Sequence, residues 1–272
     1  EPEYLKERLS GILEWKSLTF TGVYKTDPIN QEEMIAWLKK YGDILKPYIC
    51  DTSRYLNEAA NSGKKILFEA QLGALRDIDF GIYPFTSSSS TIGAYAPIGA
   101  GIPNHKIDCS IGVMKAYSTC VGEGPFTCEM FGEEAEELRK AGGEYGAATG
   151  RPRRVGPFDV PASRYGVRMQ GADEIALTKL DVLSYLKEIP ICTAYEIDGN
   201  LTKDFPTGDA LRRAKPVITT VKGWQCDISQ CRKYEDLPQA AKEYILLLEK
   251  ETGAKIKYIS VGAEREAYLI RP

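Results

Sequence analysis

The eleven residues GAATGRPRRVG, positions 146–156, hold three arginines and three glycines. Guanidinium groups present paired donors matched to carboxylate and phosphate oxygens. Glycines let the backbone approach an anion and expose its N–H groups to it. Pro152 stiffens the turn between Arg151 and Arg153. The alternative is a solvated basic turn; three arginines between glycines favour an anion. A second candidate is LTKLDVL, 177–183, where Lys179 and Asp181 stand two apart after an apolar run. A carboxylate can accept from both N1–H and the 2-amino group of guanine, a pair adenine lacks, while a lysine stem covers the base. By itself the pattern equally fits an ordinary ion pair at a strand end. ISVGAER, 259–265, and VGEGPF, 121–126, are further glycine turns, neither with a side chain that names a ligand.

The single histidine, His105, lies in GIPNHKID with Asp108 as its one near carboxylate, and reads as a turn residue. Multi-histidine metal sites are excluded within the chain. Seven cysteines are scattered without a CxxC pair, which argues against a disulfide framework or a zinc site and suits a reducing cytoplasm. A net charge of −3 argues against nucleic acid as a general partner. No run approaches the roughly 18 apolar residues of a membrane span, so no membrane partner is expected.

These segments need a scaffold. At 272 residues and 43% hydrophobic, the chain can bury a core. PEYLKERLSGILEW, NQEEMIAWLKKYGDIL and DTSRYLNEAANSG read as helices, the last capped by Asp51 and ended by Gly63. KKILFEA, 64–70, reads as a short buried strand. Residues 77–103 are rich in Gly, Ser, Thr and Pro. The aromatics of DIDFGIYPF make an ordered, site-forming segment a better reading than a linker. Beyond it, strand-like runs (KIDCSIGVMKAYST, EIALTKLDVL, IPICTAYEID, KPVITTV, KIKYISVG) alternate with helical ones (GEEAEELRKAG, DLPQAAKEYILLLEKETG). In the last of these Asp236 is placed as cap, Gly253 as stop, and Ala241, Tyr244, Ile245 and Leu248 as the buried stripe. The alternation implies an α/β fold with a largely parallel central sheet and flanking helices. Residues 1–272 are taken as one domain, mostly helical over 1–63, with sheet and site in 64–272. Ligand sites of such sheets gather at the carboxyl ends of strands, where these motifs fall.

Taken together, DIDFGIYPFTSS, KAYSTCVGEGPF, EYGAATGRPRRVG, LTKLDVL, CTAYEIDG and LPQAAKEYI resemble adenylosuccinate synthetase in content and order. The resemblance runs from about residue 5 to the end. It implies a P-loop-NTPase-like fold and ligation of L-aspartate to IMP at the expense of GTP, with Mg²⁺, in a cytoplasmic homodimer. Its carry-over answers the arginine loop: Ala147, Ala148, Thr149, Gly150, Arg151, Pro152 and Arg153 would close on L-aspartate. Arg151 would also face the IMP ribose, and Arg153 the GTP phosphates. Lys179, Leu180 and Asp181, with Ser260, Val261 and Gly262, would receive the guanine base. Thr86, beside Ser87 and Ser88, would hold the IMP phosphate, and Gln71 would bond IMP.

Departures from the family pattern are local at three places. FEAQLGA stands where FEGAQG is usual, leaving Gln71 or Leu72 at the IMP position; Gln71 is assigned because leucine cannot bond a nucleotide. Ala148 replaces a second threonine, and TSSSSTIGA a segment that usually contains asparagine. The largest departure is at the front. The GxxxxGK[ST] phosphate loop is absent, and the family's catalytic Asp and His and its Mg²⁺ ligands would lie upstream of Glu1. The fold is therefore expected to be incomplete at its N-terminus, with no catalytic or metal residue in this chain and no turnover by the chain alone. The rival readings are a non-catalytic nucleotide-binding or dimerisation module and a related ligase for another amino acid.

Overall fold

The computed structural model describes residues 2–147 and 150–271. Where the sequence suggests one domain with a helical part, the fold resolves two compact units, 1–62 and 63–272.

The first unit contains α1 (Pro2–Thr19), α2 (Gln31–Leu45) and α3 (Thr52–Asn61). Asn30 caps α2 by accepting from the N–H groups of Glu32 and Glu33 at 2.8 and 3.1 Å. Asp51 caps α3 through the N–H of Arg54 at 3.0 Å, as its position suggests. None of these helices has a buried residue.

The second unit opens on KKILFEA, which forms no strand; Leu67 in its middle is 91% exposed. An apolar run becomes a strand only when a neighbour supplies the other half of its hydrogen-bond ladder, and no described residue pairs with 64–70. The run continues through Gln71 into residues 77–103, which include the short α4 (Ala96–Gly99). This stretch is ordered around one carboxylate. Asp77, fully buried, accepts from the N–H groups of Asp79, Phe80 and Thr91 at 2.9, 3.0 and 2.7 Å and from Ser90 Oγ at 3.0 Å. Burial acts to raise the Asp77 pKa, but the donors from Phe80, Thr91, Asp79 and Ser90 outweigh it and hold it below the ordinary value. The carboxylate thus stabilises the fold above pH 3.8, and that contribution is lost as the pH falls through its lower folded value. Asp77→Ala strands four donors. We predict a loss of about 3 kcal/mol in urea unfolding, with new protease cleavage confined to 77–91.

Next come β1 (Ile111–Lys115), β2 (Ser118–Cys120), α5 (Gly132–Gly142), β3 (Arg154–Gly156), β4 (Phe158–Asp159), α6 (Val160–Gln170) and β5 (Glu174–Thr178). They are followed by β6 (Glu188–Ile197), β7 (Asn200–Thr202), α7 (Gly208–Arg213), β8 (Lys215–Lys222), α8 (Gln239–Thr252), β9 (Lys255–Ser260) and β10 (Tyr268–Ile270). The central sheet has the order β1-β5-β9-β10; its first three strands are parallel, and β10 runs antiparallel at the edge. Ile175, Leu177, Ile256 and Ile259 from this sheet are wholly buried, as are Ala241, Tyr244, Ile245 and Leu248 of α8, the stripe read from its spacing. Each large side chain so buried contributes about 2 kcal/mol. Gly253 ends α8, but its first cap position is Pro238. Asp236 instead closes a short 3₁₀ turn, where its carboxylate accepts from the N–H of Lys233 at 3.1 Å.

A second sheet sets β6 parallel to β4 and antiparallel to β7 and β8. Here the alternation rule does not reach, because IPICTAYEID and KPVITTV are joined without a full crossover helix and return antiparallel. A ribbon of β2 with β3 carries the arginine loop at its edge. No helix among the described residues is long and apolar enough to cross a membrane.

Candidate active site

Because β1, β5 and β9 are parallel neighbours, their carboxyl ends emerge on one edge. Lys115 closes β1, Lys179 follows β5, and Ser260 closes β9. The turns after β5 and β9 touch directly, with the Leu180 N–H donating to the Ser260 carbonyl at 3.3 Å. Lys179–Asp181 and Ser260–Gly262, eighty residues apart in sequence, thus form one wall. Leu180 and Val261 are fully buried and fix it from below; the Val261 N–H donates to the Ala267 carbonyl at 2.9 Å. Ser260 Oγ turns back to the Gly262 carbonyl at 2.8 Å, so this turn offers backbone rather than hydroxyl.

Asp181 is half-buried. Burial pushes its pKa up, against its own and Val182's backbone N–H and the nearby Lys179 charge. A carboxylate held at that desolvation cost is suited to a ligand that donates to it. Lys179 takes a left-handed φ of 60° and donates its Nζ to the Gly142 carbonyl, the last residue of α5, at 2.5 Å. The lysine stem is thereby stretched between strand end and helix end.

The arginine loop is a hairpin tip. Tyr145 and Pro152 bridge antiparallel, the Gly146 N–H donates to the Arg151 carbonyl at 2.8 Å, and the Gly150 N–H donates to the Gly146 carbonyl at 2.7 Å. Gly150 has φ +63°, a conformation in which a Cβ is strained. Ala147, Gly150, Arg151 and Pro152 are exposed; Ala148 and Thr149 lie outside the described residues. The three arginines, read together in the sequence, part company here. Arg154 binds the Glu129 carboxylate through Nε at 2.9 Å, and the Gly124 carbonyl at 2.8 Å, a structural role. Arg153 pairs with Glu144 at 2.8 Å, where Lys115 at the end of β1 also binds that carboxylate. Its Nε is buried without a hydrogen-bond partner among the described residues, a donor left for something else.

Nothing in residue type or spacing distinguishes Glu144, Lys115 and Tyr117, yet they meet here. The Glu144 carboxylate is solvent-inaccessible and accepts from Lys115 Nζ at 2.8 Å and Tyr117 Oη at 2.6 Å as well as from Arg153. Burial works to raise its pKa, yet the bonds from Lys115 and Tyr117, the Lys115 charge and the Arg153 bond bring it below the ordinary range. Burial lowers the Lys115 pKa against its bond to Glu144, and raises that of Tyr117. The one signal available in sequence was that Glu144 is the acid nearest the loop. Gly142 makes this cluster possible, since a Cβ there would overlap Tyr117 Oη. Gly142→Ala is therefore predicted to cost about 2–3 kcal/mol in thermal or urea unfolding, with Tyr117 driven off Glu144.

Thr86 and Gln71 make no hydrogen bond to this edge. Gln71 is exposed, and Leu72 after it has φ +75°. The serines beside Thr86 are partly committed: Ser87 Oγ donates to the Ser89 carbonyl at 2.9 Å and Ser90 Oγ to Asp77. Thr86 itself makes no hydrogen bond among the described residues and keeps its hydroxyl available. Arg76 holds this segment to the next by donating to the carbonyls of Phe85 at 2.6 Å and Val121 at 3.0 Å. No group of three or more His, Cys, Asp or Glu side chains that could hold a metal ion occurs among the described residues.

Residues 1–269 match a family model described as adenylosuccinate synthetase. The chain is 44% identical over 269 residues to the adenylosuccinate synthetase of Caldanaerobacter subterraneus subsp. tengcongensis, covering 98% of this chain and 63% of that protein. It is 43% identical over 265 residues to that of Bifidobacterium adolescentis, covering 97% and 62%. A solved structure of fully ligated adenylosuccinate synthetase from Plasmodium falciparum superposes with a TM-score of 0.92 at 34% identity, covering all of this chain and 64% of that one. The chain therefore spans under two thirds of the length of the relatives it matches. With a family model matched over nearly the whole chain and relatives above 40% identical along it, the chain belongs to the adenylosuccinate synthetase family.

Proposed function

We propose that a polypeptide of the relatives' length carrying this chain ligates L-aspartate to IMP, with GTP converted to GDP and phosphate. The observation that carries the reading is the wall formed by Lys179–Asp181 and Ser260–Gly262 beside Arg153. In it, a half-buried carboxylate, a stretched lysine stem and a buried guanidinium donor face one strand edge.

The chemistry has two displacements. The γ-phosphoryl of GTP passes to O6 of IMP, breaking the bond to the β-phosphate oxygen and releasing GDP. The amine of aspartate then attacks C6, the C6–O6 bond breaks, and phosphate leaves with O6. The residues of this chain bind and orient. Asp181 accepts from N1–H and the 2-amino group of guanine, and the Lys179 stem covers the base. The Ser260–Gly262 backbone borders the base, with Leu180 beneath. Arg153 neutralises charge between aspartate and the phosphates, where positioned cations act most strongly on a transferring phosphoryl group. Arg151 serves aspartate and the IMP ribose, and the loop 147–153 closes on the aspartate carboxylates. Thr86 takes the IMP phosphate, and Gln71 bonds IMP. The described residues offer no carboxylate cluster that fits Mg²⁺, so its ligands are assigned outside this chain and no step is routed through it. The setting proposed is a cytoplasmic homodimer with no nucleic-acid or membrane partner.

The test follows adenylosuccinate formation by ultraviolet absorbance with IMP, GTP, aspartate and Mg²⁺. It is run on this chain and on the chain joined to the remaining segment of a relative. Turnover only in the joined protein is the expected result. Absence of turnover in both, with guanine nucleotide still bound, would replace the ligase reading by that of a nucleotide-binding module.

A further inference from the structure

Glu144 divides its two carboxylate oxygens. Oε1 takes Lys115 Nζ and Tyr117 Oη and lies 3.8 Å from Lys179 Nζ; Oε2 takes Arg153. Lys115 ends β1, and Tyr117 is buried in the main core, so these two contacts fix the carboxylate to the sheet. The other two contacts go to long, partly exposed side chains, with Lys179 37% and Arg153 32% accessible. Backbone contacts of the same segment repeat the pairing. The Arg153 N–H donates to the Glu144 carbonyl at 2.9 Å, and Gly142, two residues earlier, takes Lys179 Nζ. A carboxylate buried for charge balance alone would not face three cations, since one anion against Lys115, Arg153 and Lys179 leaves the cluster net positive. Fixed on one side and holding two partly exposed cations on the other, it acts as a bracket.

We infer that Glu144 is a positioning residue that sets Lys179 and Arg153 at once, joining the base-reading wall to the arginine hairpin. The inference rests on the proposed function and adds that guanine and amino-acid recognition share one support. It assigns no contact between Glu144 and any substrate.

The test is steady-state kinetics on the joined protein. Glu144→Gln keeps the shape and removes the charge. The expected result is a joint rise in KM for GTP and for aspartate, each about tenfold or more, because misplacement of a binding group by about 1 Å costs that much, together with a fall in kcat as Arg153 loses its aim. KM for IMP should stay within about twofold. The double variant Lys115→Met/Glu144→Gln removes one cation with the anion and so returns the cluster to its original net charge. Its Tm should recover towards the parent value while both KM values remain raised, which keeps the test valid if the single variant folds poorly. A rise in only one of the two KM values, an equal rise in all three, or return of both to parent values in the double variant would overturn the bracket. If the parent itself shows no dependence on GTP or aspartate, the functional reading fails first and this inference falls with it.

Discussion

Asp181→Asn in the joined protein should lower kcat/KM for GTP by about 10²-fold and erase its preference over the inosine triphosphate that lacks the 2-amino group. In the proposed role the half-buried carboxylate accepts twice from guanine, and charge-assisted acceptors of this kind contribute about 1.5–3 kcal/mol each. Asparagine keeps one acceptor oxygen and turns an amide donor towards a base edge that also donates. Inosine loses less, because it never made the second bond, so the ratio of the two nucleotides moves more than either rate alone. A general loss of folding would lower both equally and leave the ratio unchanged. The pH response has a definite sign. Burial raises the Asp181 pKa above 3.8, and only the ionised form accepts from both donors. KM for GTP should therefore climb on acidification from a pH above the ordinary aspartate value, and Asp181→Asn should flatten that limb. The same shift means that ionised Asp181 costs folding free energy. Its favourable contribution is present below pH 3.8 and is lost as the pH rises through its higher folded pKa.

Arg153→Leu is expected to cost about 10²–10³-fold in kcat, with a smaller change in KM for GTP and none in guanine preference. Arg153 keeps one hand on Glu144 at 2.8 Å and has a buried Nε with no acceptor among the described residues. A guanidinium pre-aimed at developing charge needs no reorganisation during the reaction, which is why removing one such donor falls on turnover. Leucine fills most of the stem's volume, and Glu144 still has Lys115 and Tyr117, so the fold should hold. Arg153→Lys should recover little, because an ammonium cannot bond Glu144 and a substrate oxygen in the same fork. Stopped-flow or steady-state assays with circular dichroism as the folding control separate the two. Equal loss in Arg154→Leu would contradict the division of labour, since Arg154 is committed to Glu129 and the Gly124 carbonyl.

The sequence by itself determined what depends on local periodicity and caps. Asp51 starts a helix where an acceptor is needed for free N–H groups, and the 241–248 stripe of α8 is buried as its spacing requires, whereas Asp236, placed as the cap of α8, closes a 3₁₀ turn instead. Alternating apolar runs and helices sufficed for the parallel core, and the content and order of six segments carried the resemblance to the family. Tertiary structure decided everything that depends on partners. KKILFEA has strand composition, yet a ladder needs a neighbour, and it forms no strand. β6 and β8 are antiparallel because residues 198–214 between them turn back through β7 and the short α7 instead of crossing over on a full helix, a property of path rather than of composition. The three arginines look equivalent in GRPRR, but a guanidinium takes its role from the carboxylate the fold brings to it: Glu129 for Arg154, Glu144 for Arg153. Glu144 in turn is one acid among 38 acidic residues until Lys115, 29 positions away, and Lys179, 35 positions on, arrive at its side chain. Periodicity records how much of a segment is buried, whereas charge chemistry is set by distances of a few ångströms between residues far apart in the chain.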